Sequence, residues 1–132
     1  MGSETGAFNV LIVEDQAVIA FNVEDVVRSI GAYTVGCAAT VSDGLTLVET
    51  SRWDAALLDI KLAHGQTAYP IAERLHAKGV PFAFATGWGG DIDPRYSAVP
   101  LLKKPFGHED LEACLAMLLG RVPAAELEQR AA

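Results

Sequence analysis

Cysteine is scarce in this chain. Its two thiols, Cys37 and Cys114, lack the Cys-x-x-Cys spacing of a redox or zinc motif and sit in apolar segments, which reads as buried, reduced cysteine. Positive charge is scarce as well. Ten Lys and Arg face seventeen Asp and Glu, for a net charge of −7, and the cations are scattered. Nucleic-acid binding needs a clustered basic surface, so a direct nucleic-acid partner is not expected. No apolar run approaches the roughly 20 residues of a membrane helix, and the opening MGSETGAF has no basic region followed by an apolar stretch. The expectation is a cytoplasmic chain with no membrane partner. At 132 residues, 51% hydrophobic and 20% charged, there is chain enough for one folded domain and not for two.

What the chain has is alternation. Phe8 to Val13 is a short, almost continuous apolar run, as in a strand covered on both faces. Ala17 to Ile30 follows with apolar residues near helical spacing, and Gly31 is placed to stop it. The pattern repeats. Tyr33 to Ala39, Trp53 to Leu58, Val80 to Ala85 and Val99 to Leu102 read as strands. Helices are expected after Thr40 or Ser42, over Tyr69 to Ala77, and over Glu109 to Leu119. Between Thr86 and Val99 the pattern fails, because Gly87, Gly89, Gly90 and Pro94 are poor helix material, and the fourth helix should be short or disordered. Residues 1–7 read as a disordered lead, 8–120 as the domain and 121–132 as a C-terminal tail.

Strands alternating with helices make a doubly wound α/β fold with a parallel five-stranded sheet, and such sheets bind ligands beyond the carboxyl ends of their strands. Those ends carry Glu14 and Asp15, then Asp59, Thr86 and Lys104. Three carboxylates, a hydroxyl and an ammonium make a site for a hard divalent cation and a phosphoryl group. Glu14 and Asp15 would hold Mg²⁺. Asp59 would be the nucleophile, Lys104 would neutralise a phosphoryl oxygen, and Thr86 would donate a hydrogen bond to another.

The acid pair after the first strand, the Asp ending the third, the Thr ending the fourth and Lys104-Pro105-Phe106 after the fifth together resemble the two-component response-regulator receiver domains, over Phe8 to Leu119. The resemblance implies a flavodoxin-like sheet of order 2-1-3-4-5 and a cis Lys104-Pro105 bond. It makes Asp59 the phosphoacceptor and Asp15 a direct Mg²⁺ ligand, with Glu14 acting mostly through water and Lys61 through its carbonyl. Thr86 becomes the switch hydroxyl and Lys104 the phosphate-contacting lysine. The run Phe84-Ala85-Thr86-Gly87-Trp88-Gly89 is similar to the signature of the FAT GUY subfamily, whose members often stand alone and work with sensor histidine kinases of the HWE or a related class. Gly89 stands where that signature has tyrosine, and Leu101 where receivers carry a switch aromatic. The implied function is a stand-alone receiver that takes a phosphoryl group from a histidine kinase or histidine phosphotransfer protein, and that signals through a partner or drains phosphate from it. It is not expected to be a turnover enzyme.

Three rival readings are weaker. A Mg²⁺ phosphatase with an Asp nucleophile favours a second acid two residues on, where this chain has Lys61. A flavin module needs a phosphate loop after the first strand, and none follows. A receiver-like module that has lost phosphorylation would not need the full set of five residues. Lys103 reads as solvated, and His64, His76 and His108 as surface residues without ligand spacing. Trp88 stands two residues after Thr86, and the resemblance to receivers implies that a bulky side chain there, with Lys61, slows loss of the phosphoryl group to water.

Overall fold

The computed structural model describes residues 8–87 and 92–120; the lead at 1–7, the tail at 121–132 and Trp88 lie outside the described residues. The order is β1 (Phe8–Val13), α1 (Ala17–Ser29), β2 (Ala32–Ala38), α2 (Val41–Thr50), β3 (Ala55–Leu58), α3 (Tyr69–Ala77), β4 (Phe82–Thr86), β5 (Leu101–Lys103) and α4 (His108–Leu118). Every strand pairing is parallel and the sheet runs β2-β1-β3-β4-β5, the expected flavodoxin-like order.

The near-continuous apolar strands are explained by cover on both faces. Alternate residues of one strand go to opposite layers. Val10 and Ile12 of β1, Leu57 of β3 and Ala83 and Ala85 of β4 pack with Val23 and Val27 of α1 and with Leu111 and Leu115 of α4. Leu11, Val13, Leu58, Phe82 and Phe84 pack with Val48 of α2 and with Ile71 and Leu75 of α3. Each such side chain contributes roughly 1.5–3 kcal/mol by leaving water. The two layers clamp the middle of the sheet and hold its carboxyl edge still.

Local chemistry sets the ends of the elements. Thr40 caps α2 by accepting a hydrogen bond from the Asp43 amide at 3.0 Å. Arg28 closes α1 with a helical pair to Glu24 at 2.8 Å. β3 starts at Ala55 rather than Trp53, because Trp53 turns aside: its ring lies against Gly36, where a Cβ would collide, and its indole donates to the Leu47 carbonyl at 2.9 Å. β4 starts at Phe82 rather than Val80, since Pro81 has no amide to give the ladder. Cys114 is buried, but Cys37 is exposed, which corrects the expectation for that thiol. It lies on β2, an outer strand of the sheet.

The fourth crossover departs most from its neighbours. Among its described residues there is one turn of 3-10 helix, Pro94–Tyr96, where the other crossovers place a full helix. Asp93 caps that turn by accepting from the Arg95 amide. After β3 the chain makes a tight hairpin instead of entering α3 directly. His64 and Gly65 both have positive φ, 63° and 72°, Gln66 donates to the Ala63 carbonyl, and Lys61 bridges Thr67 antiparallel. That is type I′ geometry, in which two left-handed residues reverse the chain. The Lys104-Pro105 bond is cis.

Candidate functional site

The site is made by strand ends that stop in register. The Glu14 amide donates to the Ala38 carbonyl, and the Asp59 amide to the Val13 carbonyl, each at 2.9 Å, so β2, β1 and β3 finish side by side. Across the sheet the Lys104 amide donates to the Thr86 carbonyl at 2.9 Å, which ties the end of β5 to the end of β4. These backbone bonds place the side chains. Glu14, Asp59 and Thr86 are the buried polar residues, at 6%, 7% and 3% exposure, in a core otherwise apolar among the described residues.

The Lys104 ammonium reaches across the gap. It donates to Glu14 Oε1 at 2.6 Å and to Asp59 Oδ2 at 3.3 Å. The other Glu14 oxygen, Oε2, accepts from the Gln16 amide at 3.1 Å, just where α1 begins. Glu14 is thus fully engaged. Asp15 is half-exposed and makes no hydrogen bond or ion pair among the described residues, which leaves its oxygens available. One carboxylate oxygen from each of Glu14, Asp15 and Asp59 lies within 4.8 Å of the others, a group that can hold a metal ion. The donor set is all oxygen, which suits a hard divalent cation.

The charges do not balance without further cations. Burial, and then the negative charge of Glu14, push the Asp59 carboxyl up to about 6, against the lowering effect of Lys104. For Lys104, burial favours the neutral amine, but the hydrogen bond to Glu14 and the charges of Asp59 and Glu14 outweigh it and hold the ammonium above its usual range. A divalent cation beside Asp15 would remove the imbalance.

The structure of SdrG from Sphingomonas melonis Fr1 superposes with a TM-score of 0.77 at 39% identity, over 87% of this chain and 98% of that one. The response-regulator receiver domain of PhyR from Erythrobacter litoralis gives 0.76 at 29% identity, over 91% and 97%. The chain belongs to the response-regulator receiver domains.

The phyllosphere-induced regulator PhyR of Methylorubrum extorquens is 28% identical over 121 residues; the match takes in 86% of this receiver but only 44% of that protein, so the chain spans under half of its curated relative. No family model matches the chain. Of the residues picked from sequence, the fold brings together Glu14, Asp15, Asp59 and Lys104, and it places Thr86 at the adjoining strand end. Lys61 stands at the mouth of the hairpin with its side chain exposed. Lys103 is exposed, as alternation from Leu102 requires, and so are His64, His76 and His108.

Two features escaped the sequence reading. Val18 and Phe21 belong to the apolar, near-helical spacing that predicts α1, yet they are 74% and 68% exposed. Tyr69 and Tyr96 gather with Phe82 and Phe84 beneath β4. No membrane-crossing helix is present among the described residues.

Proposed function

We propose that this receiver accepts a phosphoryl group on Asp59 from the phosphohistidine of a sensor histidine kinase, of HWE or a related class, or of a histidine phosphotransfer protein, in a Mg²⁺-dependent reaction. The observation that carries the proposal is the meeting of Asp59 with Lys104 and with the other two carboxylates at one sheet edge. An Asp59 oxygen attacks phosphorus, the P–N bond of the donor breaks, and the imidazole nitrogen keeps the electron pair. No general base is needed, because the attacking carboxylate is ionised above about pH 6.

The residues present fit Mg²⁺: Asp15 would supply open oxygens, Glu14 would act through water while it holds Lys104, and Asp59 would contribute to the ion and to the phosphoryl group. The Lys61 carbonyl completes the proposed protein ligands. When bound, the ion neutralises charge on the phosphoryl oxygens as it transfers. Lys104 is positioned to exchange its contact with Asp59 for one with a phosphoryl oxygen. Thr86, at the end of β4, offers its hydroxyl to another.

Nothing in the set suggests turnover on a free substrate, since Lys61 stands where a phosphatase of this chemistry has its second acid. The phosphorylated domain therefore signals through a partner or drains phosphate from one. Phosphate-affinity mobility after incubation with acetyl phosphate and Mg²⁺ tests this. A retarded band is expected for wild type, and not with chelator or for Asp59→Asn. If neither acetyl phosphate nor a cognate kinase retards the wild-type band, the proposal fails.

A further inference from the structure

Beneath Thr86 lies a cluster of rings that phosphoryl transfer does not use. Tyr69, the first residue of α3, stacks on Tyr96 with centroids 5.4 Å apart and planes 8° apart, and meets Phe84 edge-on at 5.9 Å. Phe84 meets Tyr96 edge-on at 5.6 Å. The Tyr69 hydroxyl accepts a hydrogen bond from the Asp93 amide at 3.0 Å. One side chain of α3 therefore holds the start of the described stretch 92–99. Besides the stacked rings, the Arg95–Glu73 pair at 3.2 Å joins α3 to this stretch, but both of its side chains are more than half exposed, and such pairs hold little.

Two connections join this ring to the site. The carbonyl of Ile60, next to Asp59, accepts from the amide of Ala68, next to Tyr69, at 2.9 Å. Phe84 lies two residues before Thr86 on the same face of β4. A Thr86 hydroxyl drawn to a phosphoryl group on Asp59 would pull on the end of β4, and a shift there would carry the Phe84 ring with it. In a close-packed interior a ring does not shift without displacing its neighbours. Its ring neighbours are Phe82 on the same strand, and Tyr69 and Tyr96 across from it.

We propose that Tyr69 couples phosphorylation to the fourth crossover: its hydroxyl holds 92–99 in the unphosphorylated receiver, and phosphorylation weakens that hold through Phe84, freeing the segment to meet a partner. The inference rests on phosphorylation of Asp59 as proposed above. It gives the chain an aromatic relay although Leu101 occupies the position of the usual switch aromatic.

Amide hydrogen exchange over 92–99 tests it in the full chain, before and after acetyl phosphate with Mg²⁺, in wild type, Tyr69→Phe and Tyr96→Phe. Tyr69→Phe keeps the ring and removes the acceptor. In the unphosphorylated variant, exchange at Asp93 is expected to rise about five- to tenfold, the worth of one hydrogen bond. Phosphorylation should raise wild type to a similar level and add little to the variant. Tyr96→Phe loses a hydroxyl that makes no hydrogen bond among the described residues, and should behave as wild type. Equal acceleration by phosphorylation in wild type and Tyr69→Phe, or none in wild type, overturns the coupling. Phosphate-affinity mobility of the same samples separates the two failures: a retarded band with unchanged exchange sinks the role of Tyr69, whereas no retarded band sinks the reading of Asp59 beneath it.

Discussion

Over β1 and β3 the carboxyl edge of the sheet crowds Glu14, Asp15 and Asp59 around one ammonium; beneath β4 the same fold fills space with Tyr69, Phe82, Phe84 and Tyr96. The first side is built from groups that resist burial, the second from groups that seek it. A buried carboxylate beside another is strained until a cation arrives, while a ring among rings is stable as it stands. The acid side is thus prepared for chemistry and the ring side holds the frame against which that chemistry can act. Losing an acid and losing a ring should therefore move stability in different directions, and the two sides should respond differently to pH.

The largest effect belongs to the rings. Tyr96→Ala removes a buried ring that touches Tyr69, Phe82 and Phe84, and it should cost about 3 kcal/mol in urea unfolding, as truncation of a buried aromatic does. The acid site is not touched, so the folded variant should still give a retarded band with acetyl phosphate. A Tyr96→Ala protein as stable as wild type would break the contrast, because the rings would then be filling and not frame.

The next effect lies on the charged side. Lys104→Met leaves Glu14 and Asp59 buried against each other without their ammonium, and should cost about 2 kcal/mol at neutral pH. That is below the roughly 3–5 kcal/mol of a fully buried pair, because these acids can take up a proton instead. The same response makes the loss pH-dependent: it should shrink as the pH falls and the carboxyls are neutralised. Chemical denaturation at two pH values reads both points, and a loss independent of pH would mean that Lys104 acts by packing alone.

The two sides also differ in how far they could be read from sequence. Glu14, Asp15, Asp59, Thr86 and Lys104 were legible because each follows an apolar strand, and a parallel sheet brings all such ends to one edge. The ring cluster was not legible. Tyr69 sat at the start of a predicted helix and Tyr96 in a stretch with no periodicity, and their stacking depends on where the fourth crossover crosses α3. The boundaries that moved did so for local reasons: Pro81 has no amide for the ladder, Pro100 precedes β5 for the same reason, and Trp53 turned toward Gly36. Phe21 misled for another reason. Helical spacing says that a residue shares a face with others, but not that the face is covered, and in α1 the buried stripe is carried by Val23 and Val27.

The smallest effect has the opposite sign. Folding raises the Asp59 carboxyl from its usual 3.8 to about 6, because burial and Glu14 oppose its ionisation more than Lys104 favours it. A folded carboxyl that holds its proton more tightly than the unfolded one adds stability below the unfolded pKa and loses it as the pH rises through the folded value, here between about 4 and 6. At pH 7.5 the wild type has lost all of that contribution. Asparagine has no proton to lose, so Asp59→Asn should be the more stable protein there, by about 1 kcal/mol once the shift is discounted for solvent screening around the site. The advantage should narrow through pH 6 and fade toward pH 5 and below. Mg²⁺ should narrow it as well, because the cation favours the ionised carboxylate of wild type and finds a neutral amide in the variant. Thermal unfolding of both proteins across this pH range, with Mg²⁺ and with chelator, gives all these differences together. If Asp59→Asn were the less stable protein at pH 7.5 in chelator, Asp59 would be a satisfied part of the frame, and the acid side would be held together in the same way as the rings.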